Sequence, residues 1–251
     1  MRIVLRISRS DGSSASEWAR GSAAAGPREQ DFAVDIDPTA PVLDALIRVK
    51  AEQDGSLSFR HSCGHGVCGS DAMVIAGKER LACKTLVREV AEADGAVVTI
   101  GPLRHLPVQR DLMVDQGQFF QNYRAVKPFL INDQDAGGKE RRQTPQERAA
   151  FEEATSCILC GACFSACPVF ETNGQYLGPA ALLSAARFTF DNRDKGLAER
   201  MAVLDGPNGV AGCENHFDCT RVCPREIKVT KAINLTKNRL KKEKGTPAAG
   251  A

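Results

Sequence analysis

Residues 157–168 read CILCGACFSACP, four cysteines within eleven residues and a proline directly behind the last. The chain holds ten cysteines, all in three tight groups. Cys63, Cys68 and Cys83 form the first, Cys157, Cys160, Cys163 and Cys167 the second, and Cys213, Cys219 and Cys223 the third. Thiolates so spaced are ligands for soft metals and iron–sulfur centres. Disulfide scaffolds belong instead to short secreted chains. This chain opens MRIVLRI, which alternates as a strand does and lacks both the apolar core of a secretory leader and an Arg/Ser-rich amphipathic leader. Structural zinc is the plainer alternative, but it needs four ligands, commonly as two separated C-x₂-C pairs. Four thiols in one short run fit it poorly.

The pattern C-x₂-C-x₂-C-x₃-C-P is the bacterial ferredoxin signature, in which three cysteines hold one cluster and the fourth ligates another. The proline redirects the chain, because it has no N–H to extend a local hydrogen-bonding pattern. Residues 213–224, CENHFDCTRVCP, repeat the run with His216 where the second cysteine belongs. The crossing rule puts Cys157, Cys160 and Cys163, completed by Cys223, on a [4Fe–4S] cluster. It puts Cys213 and Cys219, completed by Cys167, on the other. Three thiolates leave one cubane corner without a ligand, and loss of that iron gives [3Fe–4S]. His216 can ligate a fourth iron, as imidazole does in some iron–sulfur sites, or simply fill the space. It can also donate a hydrogen bond to a cluster sulfur or a nearby acceptor and raise the reduction potential. Spacing does not choose among these.

The amino-terminal group, Cys63-x₄-Cys68-x₂-Asp71 and then Cys83, follows plant-type [2Fe–2S] spacing with Asp71 at the third ligand position. A carboxylate carries a thiolate's charge and binds iron, so Asp71 is read as a ligand rather than as a solvated loop acid. The three clusters together then take all ten cysteines and Asp71, with none left over. Gly64-His65-Gly66-Val67-Cys68-Gly69 matches the dinucleotide fingerprint G-x-G-x-x-G, but it lies between two ligand cysteines and opens no predicted helix. Its glycines are expected to let backbone N–H groups approach cluster sulfur, and His65 is read as a loop residue.

These residues need scaffolding of two kinds. MRIVLRI, DFAVDI (31–36) and AVVTI (96–100) read as strands. Leu57 and Phe59 alternate, and Met73, Ile75 and Leu81 flank a turn at Gly77-Lys78, as in a hairpin. Pro41 opens a helix carrying Val42, Leu43, Leu46, Ile47 and Val49. The Gly/Ser/Ala-rich segment from Ser8 to Gln30 reads as a mobile insertion. Beyond Gly101 periodicity fades, up to DQDAGGKERRQ (133–143). Thr144, Pro145 and Glu147 then form a helix opening, and Pro179–Phe190 and a stretch from about Thr230 read as helices. The expected class is α+β in two domains: a β-rich domain at 1–115 with the insertion at about 8–30, a connector at 116–143, and an all-α domain at 144–251 with a frayed tail.

Net charge is +2 with 25% charged residues, which excludes the global basic field of nucleic-acid binders. No apolar run approaches the ~20 residues that cross a bilayer. The basic run Lys237, Arg239, Lys241, Lys242 and Lys244 reads as a solvated face, or as a contact for anionic headgroups. There is no nucleophile–base pair and no flavin fingerprint, so no catalytic residue is expected.

With all three groups placed, the chain resembles the iron–sulfur subunit of succinate dehydrogenase and fumarate reductase over nearly its whole length. HSCGHGVCGSDAM, RDLMVDQGQFFQNY, the complete cysteine run, YLGPAALL and C-x₅-C-x₃-C-P occur in that family's order. The resemblance implies a β-grasp, plant-type [2Fe–2S] ferredoxin-like domain followed by a helical ferredoxin-like domain. It implies [2Fe–2S], [4Fe–4S] and [3Fe–4S] clusters ligated as above, with Asp tolerated at the position of Asp71. It also implies electrons arriving from the FAD of a flavoprotein subunit and leaving to quinone in membrane-anchor subunits that carry heme b. The complex would sit on the cytoplasmic face of a bacterial inner membrane, within the tricarboxylic acid cycle and respiratory chain.

Two departures bear on the quinone pocket. Many ubiquinone-using members carry a tryptophan pair after the fourth cysteine, but here Val169, Phe170, Glu171 and Thr172 follow Pro168, and Trp18 is the single tryptophan. Glu214 stands where a histidine is common. Menaquinone is therefore a reasonable electron acceptor, and Pro168 and His216 are the pocket candidates. The competing functions are a quinol:fumarate reductase subunit, a carrier for another flavin dehydrogenase, and a zinc-stabilised binding module.

Overall fold

The structure is a computed structural model that describes residues 1–11, 28–134 and 137–245. Most of the predicted insertion, Trp18 within it, and the end of the tail lie outside the described residues. The chain divides into two compact units, Met1–Gln118 with Ile158–Ala166, and Phe119–Cys157 with Cys167–Ala251.

The first unit is built on a five-stranded mixed sheet. Its strands are β1 (Arg2–Arg9), β2 (Arg28–Asp35), β3 (Ala72–Ile75), β4 (Lys78–Leu81) and β5 (Val97–Gly101), in the order β2-β1-β5-β3-β4. β1 and β5 run parallel, and the remaining neighbours are antiparallel. Ile3, Leu5 and Ile7 alternate along β1 and are fully buried, as a strand with one core face requires. Helix α1 (Val42–Glu52) turns Val42, Leu43, Ala45, Leu46 and Val49 inward. Arg9 still pairs with Arg28, so β1 and β2 reach further into the expected insertion than its composition suggested.

Three other expectations change. The β3–β4 turn falls at Ala76-Gly77, one residue earlier than predicted, where both residues have positive φ (49° and 79°). Such a turn matches the twist of the strands it joins. Leu57 and Phe59 lie outside any strand. The stretch beyond Gly101 that lacked periodicity forms a small hairpin, β6 (Val108–Arg110) and β7 (Met113–Val114), and helix α2 (Gly117–Ala125). Elements this short leave too few repeats for a period to register.

Asp111, in the β6–β7 hairpin, ties the sheet to the loop that follows α1. Its carboxylate accepts from Arg9 Nε at 3.0 Å and from the Ser10 and Ser58 N–H groups. Arg9 and Asp111 are both buried, so removing either partner costs about 3–5 kcal/mol.

The second unit is helical: α3 (Pro145–Ala149), α4 (Glu152–Thr155), α6 (Val169–Thr172), α7 (Pro179–Thr189), α8 (Leu197–Leu204), α9 (Asp218–Arg221) and α10 (Val229–Gly245). α5 (Ala162–Ser165) belongs to the first unit. The Thr144 opening is a full capping box, with Thr144 and Glu147 each bonding the other's backbone N–H. α7 is the centre, buried continuously from Pro179 to Ala186, as a helix apolar all round must be. Val229, Thr230, Ile233, Thr236 and Leu240 of α10 are buried. Arg200 is fully buried and satisfied by Asp194 and by the carbonyls of Val126, Lys127 and Phe129.

Candidate iron–sulfur sites

Cys63 and Cys68 lie in the loop between α1 and β3. Ser58 and Arg60 anchor its entry, the latter donating to Val114 O at 2.7 Å. Within it Gly64, Gly66 and Gly69 all have positive φ, a backbone that glycine adopts without strain. The loop folds N–H groups onto sulfur: the His65 N–H lies 3.3 Å from Cys63 Sγ. That N–H, then the Val67 N–H and Cys68, lower the Cys63 thiol to about 6. Cys63 therefore favours thiolate. No helix opens at the glycine run.

Asp71 sits at the mouth of the β3–β4 hairpin, whose pairing carries Cys83 back to the loop. The Ala82 N–H donates to Asp71 O at 3.1 Å, and the Cys83 N–H donates to Asp71 Oδ2 at 2.6 Å. Asp71 is 2% exposed, so it is not a solvated acid, and its Oδ1 is buried with no hydrogen-bond partner. A buried carboxylate oxygen left unpaired costs free energy, and a bound cation supplies the missing partner. Burial, then the Asp71 hydrogen bond and charge, push the Cys83 thiol up to about 12. Two thiols, this carboxylate and Cys83 are the donor chemistry that a [2Fe–2S] centre takes.

The same loop touches the complete run. Within the first unit, a Cβ on Gly69 would stand 2.7 Å from Cys160 Cβ and 2.9 Å from its Cα. Buried Ser165 of α5 holds this segment, accepting from the Arg104 N–H at 2.7 Å and donating to buried Glu79 at 2.9 Å. Cys160 and Cys163 belong to the first unit, Cys157 and Cys223 to the second.

The two runs fold alike. Leu159 and Gly161 have φ of 53° and 83° before α5, which carries Cys163. Asn215 and Phe217 have φ of 64° and 68° before α9, which carries Cys219. His216 thus occupies Cys160's place in an otherwise repeated backbone.

Cys167, Cys213 and Cys219, from both runs, line one cavity of the second unit with Pro168, Tyr176 and His216. Burial, followed by the neighbouring Cys219 and Cys213, pushes the Cys167 thiol up to about 11, while the Val169 N–H acts against it. Burial likewise raises the Cys219 thiol, which lies 3.3 Å from Thr230 Oγ1. Cys167 and Cys219 are buried and Cys213 is half-buried, and three thiolates gathered there favour a bound cation core to neutralise them. The His216 ring hydrogen-bonds Glu214 Oε2 at 2.9 Å, and both side chains are exposed. Among the described residues no three His, Cys, Asp or Glu side chains gather to hold a single metal ion. A polynuclear core does not require that convergence, because each thiolate binds its own iron.

Two features escaped the spacing argument: the free Asp71 oxygen, and Tyr176, a buried phenol in the cavity wall with no ligand motif of its own. The basic run is partly internal. Lys237 donates to Cys213 O at 2.7 Å, and Arg239 and Lys244 pair with Glu243 and Asp205.

Fold and donor sets together define an iron–sulfur electron-transfer protein. Residues 6–121 match the 2Fe-2S iron-sulfur cluster binding domain family, and residues 153–227 match the 4Fe-4S dicluster domain family. The chain is 40% identical over 220 residues to the succinate dehydrogenase iron-sulfur subunit of Coxiella burnetii, covering 86% of this chain and 92% of the relative. It is 37% identical over 223 residues to the fumarate reductase iron-sulfur subunit of Haemophilus influenzae, covering 84% and 86%. A chain of the Mycobacterium smegmatis Sdh1 complex in the apo form superposes with a TM-score of 0.83 at 28% identity, over 99% of both chains. The chain belongs to the family of succinate dehydrogenase and fumarate reductase iron–sulfur subunits, and its role is electron transfer. Among the described residues no helix is long and apolar enough to cross a membrane.

Proposed function

We propose that this chain is the electron-transfer subunit of a succinate:quinone oxidoreductase, working with a flavoprotein and membrane-anchor subunits on the cytoplasmic face of a bacterial inner membrane. Cys63, Cys68, Asp71 and Cys83 hold [2Fe–2S]. Cys157, Cys160, Cys163 and Cys223 hold [4Fe–4S], and Cys167, Cys213 and Cys219 hold [3Fe–4S]. When bound, the clusters accept and release single electrons. The protein's part is to supply the sulfur and carboxylate donors and to bring successive sites close.

The observation that carries this reading is the contact of Gly69, next to Cys68, with Cys160, which sets adjacent donor groups side by side as an electron path needs. The gathering of Cys167 with Cys213 and Cys219 supports the crossed ligation and a three-iron terminal site. In this reading the three-iron site is the last centre before quinone. Pro168 and His216 border that site, and menaquinone is the electron acceptor we favour.

The test is metal analysis with low-temperature EPR on the purified complex. About nine irons per chain are expected, with a three-iron signal in the oxidised state and a [2Fe–2S] signal on reduction. His216→Cys is expected to convert the terminal site to the cubane form and to abolish the oxidised signal. An unchanged oxidised spectrum in that variant overturns the account of the missing ligand.

A further inference from the structure

Glu79 lies within β4 on the same inward face as Leu81, and its side chain is 3% exposed. An inward strand position is ordinarily apolar, so a buried carboxylate there needs partners. It has two. Ser165 Oγ of α5 donates to Glu79 Oε1 at 2.9 Å, and Arg104 Nη1 stands 3.5 Å from the same oxygen. Ser165 is 1% exposed, and the Arg104 N–H, donating to its Oγ at 2.7 Å, orients the hydroxyl from the other side. Arg104 Nη2 also donates to Gly77 O at the β3–β4 turn, at 3.1 Å. Arg104, Glu79 and Ser165 thus close a small network, all of it within the first unit. The network joins two ligand-bearing segments, since Cys83 follows Glu79 by four residues and Cys163 precedes Ser165 by two.

We propose that Glu79 is a positioning residue: through Ser165 it locks α5, and with it Cys163 of the [4Fe–4S] site, onto the hairpin that leads to Cys83 of the [2Fe–2S] site. Cysteine spacing cannot do this. It fixes the thiols of one run relative to each other, but not relative to another run. The same segment makes two close approaches, where a Cβ on Gly69 would stand 2.7 Å from Cys160 Cβ and one on Gly161 3.1 Å from Leu103 Cδ1. Those contacts limit how near the segments come, whereas the directional Ser165–Glu79 bond also keeps them from parting. In the step concerned one electron passes from the first site to the second, which oxidises the first and reduces the second. No proton moves and no bond forms or breaks. Such a transfer slows steeply with distance, so the separation of the two sites is what this clamp controls. Glu79 Oε1 serves as the acceptor, and the Arg104 guanidinium offsets its charge.

This inference rests on the [2Fe–2S] and [4Fe–4S] assignments proposed above. The experiment is EPR of the fully reduced purified complex, in which both clusters are paramagnetic and the relaxation of the [2Fe–2S] signal reports its dipolar coupling to the neighbour. Wild type is compared with Glu79→Gln, which keeps an acceptor oxygen without the charge, and with Glu79→Leu, which suits an inward strand position but accepts nothing. The glutamine variant is expected to keep the wild-type coupling and the leucine variant to lose part of it. In the leucine variant, amide exchange at Arg104 and along α5 is expected to quicken roughly 10- to 100-fold, the factor for losing a hydrogen bond to a charged acceptor. Wild-type coupling in the leucine variant, even with a lowered Tm, overturns the clamp. A glutamine variant as perturbed as the leucine one also overturns it, because charge rather than the acceptor would then be at work. Absence of either cluster's signal in the wild type overturns the underlying assignments and this inference with them. If the leucine variant loses a cluster, Ser165→Ala decides: it removes the donor and leaves Glu79 to Arg104, and unchanged coupling there overturns the proposal.

Discussion

The sharpest consequence concerns Asp71. Its two oxygens have separate tasks: Oδ2 accepts the Cys83 N–H at 2.6 Å, and Oδ1 is buried without a partner. Asp71→Ala removes both. The Cys83 N–H is then buried without an acceptor, a cost of about 1–3 kcal/mol, or roughly 5- to 150-fold in the equilibrium that holds the loop closed. Asp71→Asn separates the two tasks. The amide oxygen still accepts from Cys83 at a loss of about 1 kcal/mol, the difference between a charge-assisted and a neutral hydrogen bond. What the amide lacks is an anionic oxygen for iron. Asp71→Cys restores an anionic donor but gives up the hydrogen bond. Iron and acid-labile sulfide per chain, with EPR of the reduced complex, are expected to rank the first cluster as wild type, then Cys, then Asn, then Ala. An asparagine variant with two irons at this site and an unaltered reduced spectrum refutes the reasoning, because Asp71 would then serve only as the acceptor for Cys83.

Gly69→Ala is expected to destabilise the first cluster loop by about 1–2 kcal/mol from its φ of +70° alone, and by more from the contact with Cys160. Stopped-flow reduction of the complex is expected to show slower filling of the later clusters, and unchanged rates count against Gly69 as the point of contact. Asp191 governs part of the acid stability. Burial alone raises its carboxyl, but hydrogen bonds from Arg193 and Arg187 and the Arg193 charge outweigh burial and hold it at about 2. Its folded value lies below its unfolded one, so it contributes about 2 kcal/mol above roughly pH 4, lost as pH falls toward 2. Acid unfolding followed by circular dichroism is expected to show a flatter limb in Asp191→Asn, and parallel curves exclude this role.

Much of the chemistry is legible along the chain because cluster ligation is local. Spacers of two or three residues between thiols, a proline after the last, and a histidine at one place in a repeated run are all short-range features. They imply the cofactor class before any fold is known. The longer helices and strands show for a related reason: α1, α10 and β1 each run long enough for buried positions to recur at their own period. Thr144, Pro145 and Glu147 mark a helix start because a capping box is closed within four residues.

Other features depend on contacts that no local pattern encodes. The β6–β7 hairpin and α2 are too short to carry a period, and Asp111 matters because it meets Arg9 a hundred positions away in the chain. Spacing places Asp71 among the ligand positions, but only the pairing of β3 with β4 buries it, gives Oδ2 to Cys83 and leaves Oδ1 free. Spacing also names Cys167, Cys213 and Cys219, while the phenol beside them comes from a turn between α6 and α7. The difference is physical. Ligand identity follows from a side chain's own donor atom, which the sequence states outright. Burial, unpaired oxygens and hydrogen bonds to sulfur are properties of what surrounds that atom, and distant segments supply those surroundings only when the chain closes.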